Sequence, residues 1–218
     1  QSAKRRLPKL LRHYRNYLLD HSGANFITAV ASEYRVTTLC RLAVGGNRIV
    51  RRAAVLALGM LGDMEVNHIL GMALRDKDRG VRLLADTWLR EIWLRDGNPQ
   101  QQQKLRMLVR SNENFRFHQV ERLATELIHE NPAIAEAYHQ RAIACACLGD
   151  YDDAIADLQM TLELNAYHFA AAAALSQAMV ELDDRVSALE SFQRALRLNP
   201  SLEGVRARVQ QLQRQLGG

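Results

Sequence analysis

The phrase "ELIHENP", ending at Pro132, returns as "RALRLNP", ending at Pro200. Each closes an apolar run of helical period with asparagine and proline. Midway between them, "TLELNAYH" carries the same asparagine, Asn165, with Ala166 in the place of the proline. The period is roughly 34 residues, enough for two helices and a turn. One such unit cannot bury its own apolar face, so neighbouring units must stack. Three units follow from the register, 101–134, 135–168 and 169–202. Ala154 then coincides with Ala188, Leu158 with Phe192, and Leu164 with Leu198.

These units resemble the tetratricopeptide repeat (TPR), a helix–turn–helix unit of the same length. The middle repeat supplies Tyr138, Gly149, Tyr151, Ala154 and Leu164; the third supplies Leu175, Ala188, Phe192, Ala195, Leu198 and Pro200. The pattern is broken where Arg141 and Ala142 replace the family's Leu-Gly, and the first helix of repeat one is degenerate. Within "GDYDDAIADL" (149–158) four aspartates crowd together. An EF-hand reading fails there, because Ala154, Ile155 and Thr161 stand where two ligands and the turn glycine belong. The aspartates are expected to be turn chemistry. Gly149 takes the left-handed end of one helix, Asp152 or Asp153 caps the next, and Asp157 is exposed one turn on. Asn98-Pro99 opens the first repeat as N-cap and first helical residue.

The first half repeats at 31. "IVRRAAVLALGMLGD" (49–63) aligns with "GVRLLADTWLREIWL" (80–94), matching Val50 with Val81, Arg51 with Arg82, Ala54 with Ala85 and Leu58 with Leu89. This is similar to the short HEAT repeat of phycobilin-lyase-like proteins, whose hallmark is an Asp in the turn with an Arg six residues later. Asp76 and Arg82 have that spacing. The resemblance implies that Asp76 caps the next helix and that the Arg ties adjacent turns. In the preceding unit Gly45 replaces the Asp while Arg51 remains.

Flanking helices are expected at both ends. Leu7, Leu10, Leu11, Tyr14 and Leu18 form an amphipathic stripe whose opposite face is basic. Leu202, Val205, Val209, Leu212 and Leu216 form another stripe, expected to cover the third TPR unit. The expected organisation is a basic N-terminal cap (1–25), HEAT-like repeats (26–97), three TPR repeats (98–202) and a C-terminal capping helix (203–218). The class is all-α, an α-α superhelix or solenoid, and the short connection "RDGNP" (95–99) predicts that the two repeat types stack continuously.

Charge separates the halves. Residues 1–97 hold 17 Lys and Arg against 9 acids, whereas 98–218 hold 12 against 15. Lys4, Arg5, Arg6, Lys9 and Arg12 are candidates for contact with an anionic surface. No domain of known docking geometry stands behind them, so no sequence-specific nucleic-acid recognition is expected, and membrane contact only peripherally. Cys40, Cys145 and Cys147 make no disulfide framework, and no run suits a membrane span, so a soluble protein of a reducing compartment is expected. Cys145 and Cys147 are read as small buried hydrophobes. The chain begins at Gln1 rather than methionine, the mark of a processed, trimmed or partial chain, and a targeting segment is not visible.

No catalytic, cofactor or metal motif is present: the seven histidines form no HExxH, and there is no GxSxG, phosphate loop or dinucleotide fingerprint. Trp88, Trp93 and Asp86 invite comparison with HEAT-like DNA glycosylases, but tryptophans inside a regular helix are read as packing. In TPR arrays the first helix of each repeat lines a concave groove. The resemblance places Leu105 and Val109, then Glu136, His139 and Ile143, then Ala170, Ala173, Gln177 and Val180 on it. Leu105, Val109 and Ala170 occupy the positions of the basic clamp by which some family members grip acidic chaperone tails. An apolar helix or extended segment of another protein suits this groove better. The expected function is a non-catalytic scaffold or accessory subunit. The alternatives are an anionic-surface or nucleic-acid binder and, from the HEAT likeness alone, an enzyme of the bilin-lyase or glycosylase kind.

Overall fold

Asparagine recurs at the close of each second helix in the C-terminal repeats, and in each case its side chain builds the turn that follows. In the computed structural model, which describes residues 9–217, Oδ1 of Asn131, Asn165 and Asn199 accepts from the backbone N–H two residues on. The turn therefore closes on the carboxamide, and Ala166 can stand where the other two repeats have proline. The described residues fold into helices, with no strand among them.

In the first unit these are α1 (Lys9–Asp20), α2 (Gly23–Glu33), α3 (Val36–Gly45), α4 (Arg48–Leu61), α5 (Asn67–Ala73) and α6 (Arg79–Trp93). The second holds α7 (Pro99–Glu113), α8 (Phe117–Glu130), α9 (Ala135–Leu148), α10 (Tyr151–Leu164), α11 (Phe169–Glu181), α12 (Arg185–Leu198) and α13 (Glu203–Leu216). The chain divides into two compact units between Ile92 and Trp93, so Trp93, the last residue of α6, belongs to the second.

In the first unit α4 is apolar on most of its circumference, and Val50 and the run from Ala53 to Gly59 are all buried. Gly59 marks its close approach to α6. A β-carbon there would lie 2.0 Å from Cγ of Trp88 and 2.4 Å from that residue's Cβ. Trp88 is thus a packing residue seated on a glycine. Gly59→Ala is expected to destabilise the protein by about 1–3 kcal/mol, because the obstructing atoms sit near the Trp88 backbone and cannot swing away. A urea melt with an unchanged or raised midpoint would refute the close approach.

The turn before α6 works differently from the expectation. Asp78, not Asp76, is the capping side chain, accepting from Val81 N–H at 3.0 Å. Asp76 accepts from Asp78 N–H and takes the Arg51 guanidinium on both oxygens, at 2.6 and 2.7 Å. Arg51 also donates to the Gly46 carbonyl, so this arginine does tie one turn to the next. Arg82 donates to the carbonyls of Asp76 and Lys77. Asp78 holds Arg52 in a second two-pronged pair. Those hydrogen bonds pull the Asp78 carboxyl down to about 2.

In the second unit the repeat geometry is visible in the backbone. Phe115, Gly149 and Asp183, which occupy the same position in successive repeats, all hold positive φ (58°, 92° and 60°) at the turn between paired helices. Asn98 forms the full capping box with Gln101, with Pro99 at the first helical position, as the sequence implies. Two expectations for the aspartate turn are corrected. The N-cap of α10 is Asp150, without a side-chain hydrogen bond, while Asp152 and Asp153 lie inside its first turn, where they favour the helix dipole. Asp157 is buried rather than exposed, with both oxygens accepting from Arg141 at 2.7 Å. Arg141 also donates to Thr125. The arginine that breaks the TPR pattern is therefore matched by an aspartate from the next helix. At the C-terminal end Val209 and Leu212 of α13 pack with Ala188 and Phe192 of α12, covering the last pair.

Candidate functional site

The first helices of the three pairs, α7, α9 and α11, carry the residues expected to line a groove, and burial sorts them. Val109, Ile143, Ala170, Ala173, Gln177 and Val180 are partly exposed. Leu105, at 0%, lies in the core with Leu108 and Val120, so it offers nothing to a partner. Glu136 and His139, at 5% and 8%, are also buried. The expectation that these three face a ligand is corrected: they are floor and interior. Ala173 and Ala174 are both half-buried against the same core, whereas Ala171 and Ala172 are fully enclosed.

What encloses Glu136 is a polar network that sequence reasoning missed. Glu136 and His139 share one face of α9 at i, i+3. His168 comes from farther along the chain, at the N-cap of α11, where the equivalent positions of the flanking repeats hold Ile134 and Leu202. A histidine at an otherwise apolar repeat position was the available signal. The Glu136 carboxylate accepts from His168 Nε2 at 2.9 Å, from Gln140 Nε2 at 2.6 Å and from His139 Nδ1 at 3.2 Å. Gln140 in turn accepts from Asn112 of α7. Trp93 stacks on the His168 ring, with centroids 3.9 Å apart, and Phe169 packs beside it.

One carboxylate and two imidazoles with ligating atoms within 4.8 Å of one another are a donor set worth testing for a metal. The tautomer decides against it. His168 Nδ1 accepts a hydrogen bond from the Ala171 backbone N–H at 3.0 Å. Because a backbone amide only donates, that nitrogen carries the lone pair and Nε2 carries the proton. A metal on Nε2 would need the opposite arrangement, and its second nitrogen would ordinarily donate outward. The cluster is a hydrogen-bond network with a neutral His168 at its centre. Burial, together with neighbouring His139, pushes the His168 pKa down to about 4. Burial alone would raise the Glu136 pKa; the charge of His139 and hydrogen bonds from both histidines outweigh it and hold the carboxyl below its ordinary range.

The remaining candidates are placed as follows. Cys145 is buried, and burial raises its thiol to about 11. Cys147 is exposed, which corrects its reading as a buried hydrophobe. Asp86 pairs with Arg90. Lys4, Arg5 and Arg6 lie outside the described residues. Lys9 reaches Glu33 at 3.2 Å, and Arg12 is exposed. No helix among the described residues is long and apolar enough to cross a membrane.

Paired helices in a regular repeat, with a left-handed turn residue and an asparagine-closed return in register, define the second unit as a TPR-type helical repeat. No family model matches the chain, and no curated protein does. Among solved structures it is similar to the first TPR of Spaghetti (RPAP3) bound to the HSP90 peptide SRMEEVD, at 18% identity over 53% of this chain and 98% of that one, with a TM-score of 0.49. The TPR2AB domain of yeast Sti1 in complex with HSP90 is 17% identical, over 94% and 95% of the two chains, at TM-score 0.47. A TPR protein of Thermus thermophilus is 19% identical, over 94% and 97%, at 0.41.

Proposed function

We propose that this chain is a non-catalytic interaction module, a scaffold or accessory subunit whose TPR-type unit holds a segment of another protein against α7, α9 and α11. The observation that carries the reading is the row of partly exposed small and apolar side chains on those helices: Val109, Ile143, Ala170, Ala173, Gln177 and Val180. Alanines at 170 and 173 leave room that larger side chains would fill. An apolar helix or extended strand fits such a surface, whereas the positions that would clamp an acidic tail hold Leu105, Val109 and Ala170. The first unit is read as HEAT-like, a supporting array in which Arg51 links one turn to Asp76 of the next.

The test is a pull-down paired with a thermal melt. Ala173→Arg, at a partly exposed position, is expected to fold at a cost of about 1 kcal/mol and to lose partners. Ala171→Arg forces a charge into a fully buried site and is expected to unfold or distort the unit. If Ala173→Arg folds and keeps every partner, the groove is not the binding surface.

A further inference from the structure

Phe115 sits where a phenylalanine is least expected. Its repeat equivalents are Gly149 and Asp183, and all three hold the left-handed backbone. Glycine takes that conformation freely and short polar residues tolerate it, but a bulky side chain is strained there. The ring does not recover that strain by burial. Phe115 is 80% exposed, the most exposed large hydrophobic described. Its ring is held edge-to-face against Phe117, 6.1 Å away, and Phe117 itself packs on the core of α7 and α8. The repeat turn explains the left-handed backbone, which all three units share, but not the aromatic side chain placed on it. Such an outlier points to function.

The surroundings say what kind. The turn closes onto the last turn of α7, with N–H groups of Asn114, Phe115 and Arg116 donating to the carbonyls of Arg110, Asn112 and Ser111. The turn thus closes on the end of α7 that carries Arg110, with Arg106 one helical turn earlier and Arg116 next to Phe115 in sequence. All three arginines are exposed, and none makes an ion pair among the described residues. Across 103–118, Lys104, Arg106, Arg110 and Arg116 face a single acid, Glu113. Lys104 is engaged by Glu130, and His118 by Glu121.

We propose that Phe115, with Arg106, Arg110 and Arg116, is a stacking platform for single-stranded nucleic acid, bound without sequence preference. An unpaired base presents a π face to the ring and its phosphates meet the guanidinium groups, the combination that recurs in single-strand binders. A second copy of this chain meeting the patch with its own is disfavoured, since it would bring like charges together. A protein hot spot is normally ringed by apolar contacts that exclude water, and here the surround is charged, with only Met107 as an exposed apolar side chain among it. Duplexes hide their base faces. This site adjoins the α7 edge of the groove proposed above, since Arg106 and Val109 lie at i, i+3 on that helix, and goes beyond that reading.

The experiment is fluorescence anisotropy with the whole chain, using a labelled oligouridine of about 12 nucleotides and a duplex of equal length. The single strand is expected to bind more tightly than the duplex, with affinity falling as salt rises. Phe115→Gly is expected to weaken binding about tenfold while leaving the melting midpoint unchanged or raised, because the left-handed position is relieved. Phe115→Asn, which also tolerates this backbone, repeats the test if the glycine variant loosens the turn. No binding by the wild-type chain, equal affinity for the duplex, or undiminished binding by both variants overturns the proposal. Failure of both variants to fold also overturns it, by making Phe115 a structural residue.

Discussion

Replacing Glu136 by alanine is expected to lower the unfolding free energy by about 1–3 kcal/mol, although the residue sits among the positions a TPR groove would offer to a ligand. The carboxylate is 5% exposed and receives three donors, from His139, Gln140 and His168. Alanine removes the acceptor for all of them. His139 keeps 11% of its side chain exposed, so it can turn toward water; His168, at 0%, cannot. Its Nε2–H is left buried and unpaired, and the other tautomer is barred because Nδ1 is committed to the Ala171 amide. Glu136→Gln should recover only part of the loss. If its carbonyl oxygen faces His168, its NH2 faces the donors of Gln140 and His139. Urea melts of the two variants against wild type test the ranking. An alanine variant within about 0.5 kcal/mol of wild type, the range of an ordinary surface change, would show that the network contributes nothing to stability.

The same network predicts how stability responds to acid. In the unfolded chain His168 binds a proton as pH falls through its ordinary value near 6.5; in the folded protein it does so only near 4. The unfolded state therefore holds more protons throughout that window, and stability must fall as pH drops through it. The full effect is about 3 kcal/mol, complete below pH 4 and absent above pH 7. Glu136 acts in the same sense in the next window down. Its folded pKa is depressed, so its contribution is present above the ordinary carboxylate range and is lost as pH falls through the folded value. The groups facing His168 are Glu136 and His139 from α9, with the uncharged Trp93 ring on its other side. His168→Asn keeps an N-cap acceptor for α11 while removing the titration. Denaturant midpoints measured from pH 7 to pH 4 should then slope less for that variant than for wild type. Equal slopes would place the acid sensitivity elsewhere.

The repeat itself was legible because its determinants are local. Period, the glycine at 149, the Asn98-Pro99 start and the asparagine at each return act within one or two helical turns, so residue order suffices to read them. Local reading also had a limit: it took Asp157 for an exposed turn residue and Asp76 for a cap. In both cases an arginine elsewhere in the chain, Arg141 or Arg51, claimed the carboxylate. The groove was read from a family pattern that assigns faces by position, and burial moved Leu105, Glu136 and His139 out of it. The sequence by itself determined an all-helical chain of stacked pairs, since amphipathic period and capping are set by near neighbours. Only the tertiary structure decided the buried network. Trp93, Glu136 and His168 come from three helices, and neither the protonation of His168 nor the worth of Glu136 exists until packing removes water and fixes which nitrogen meets which oxygen.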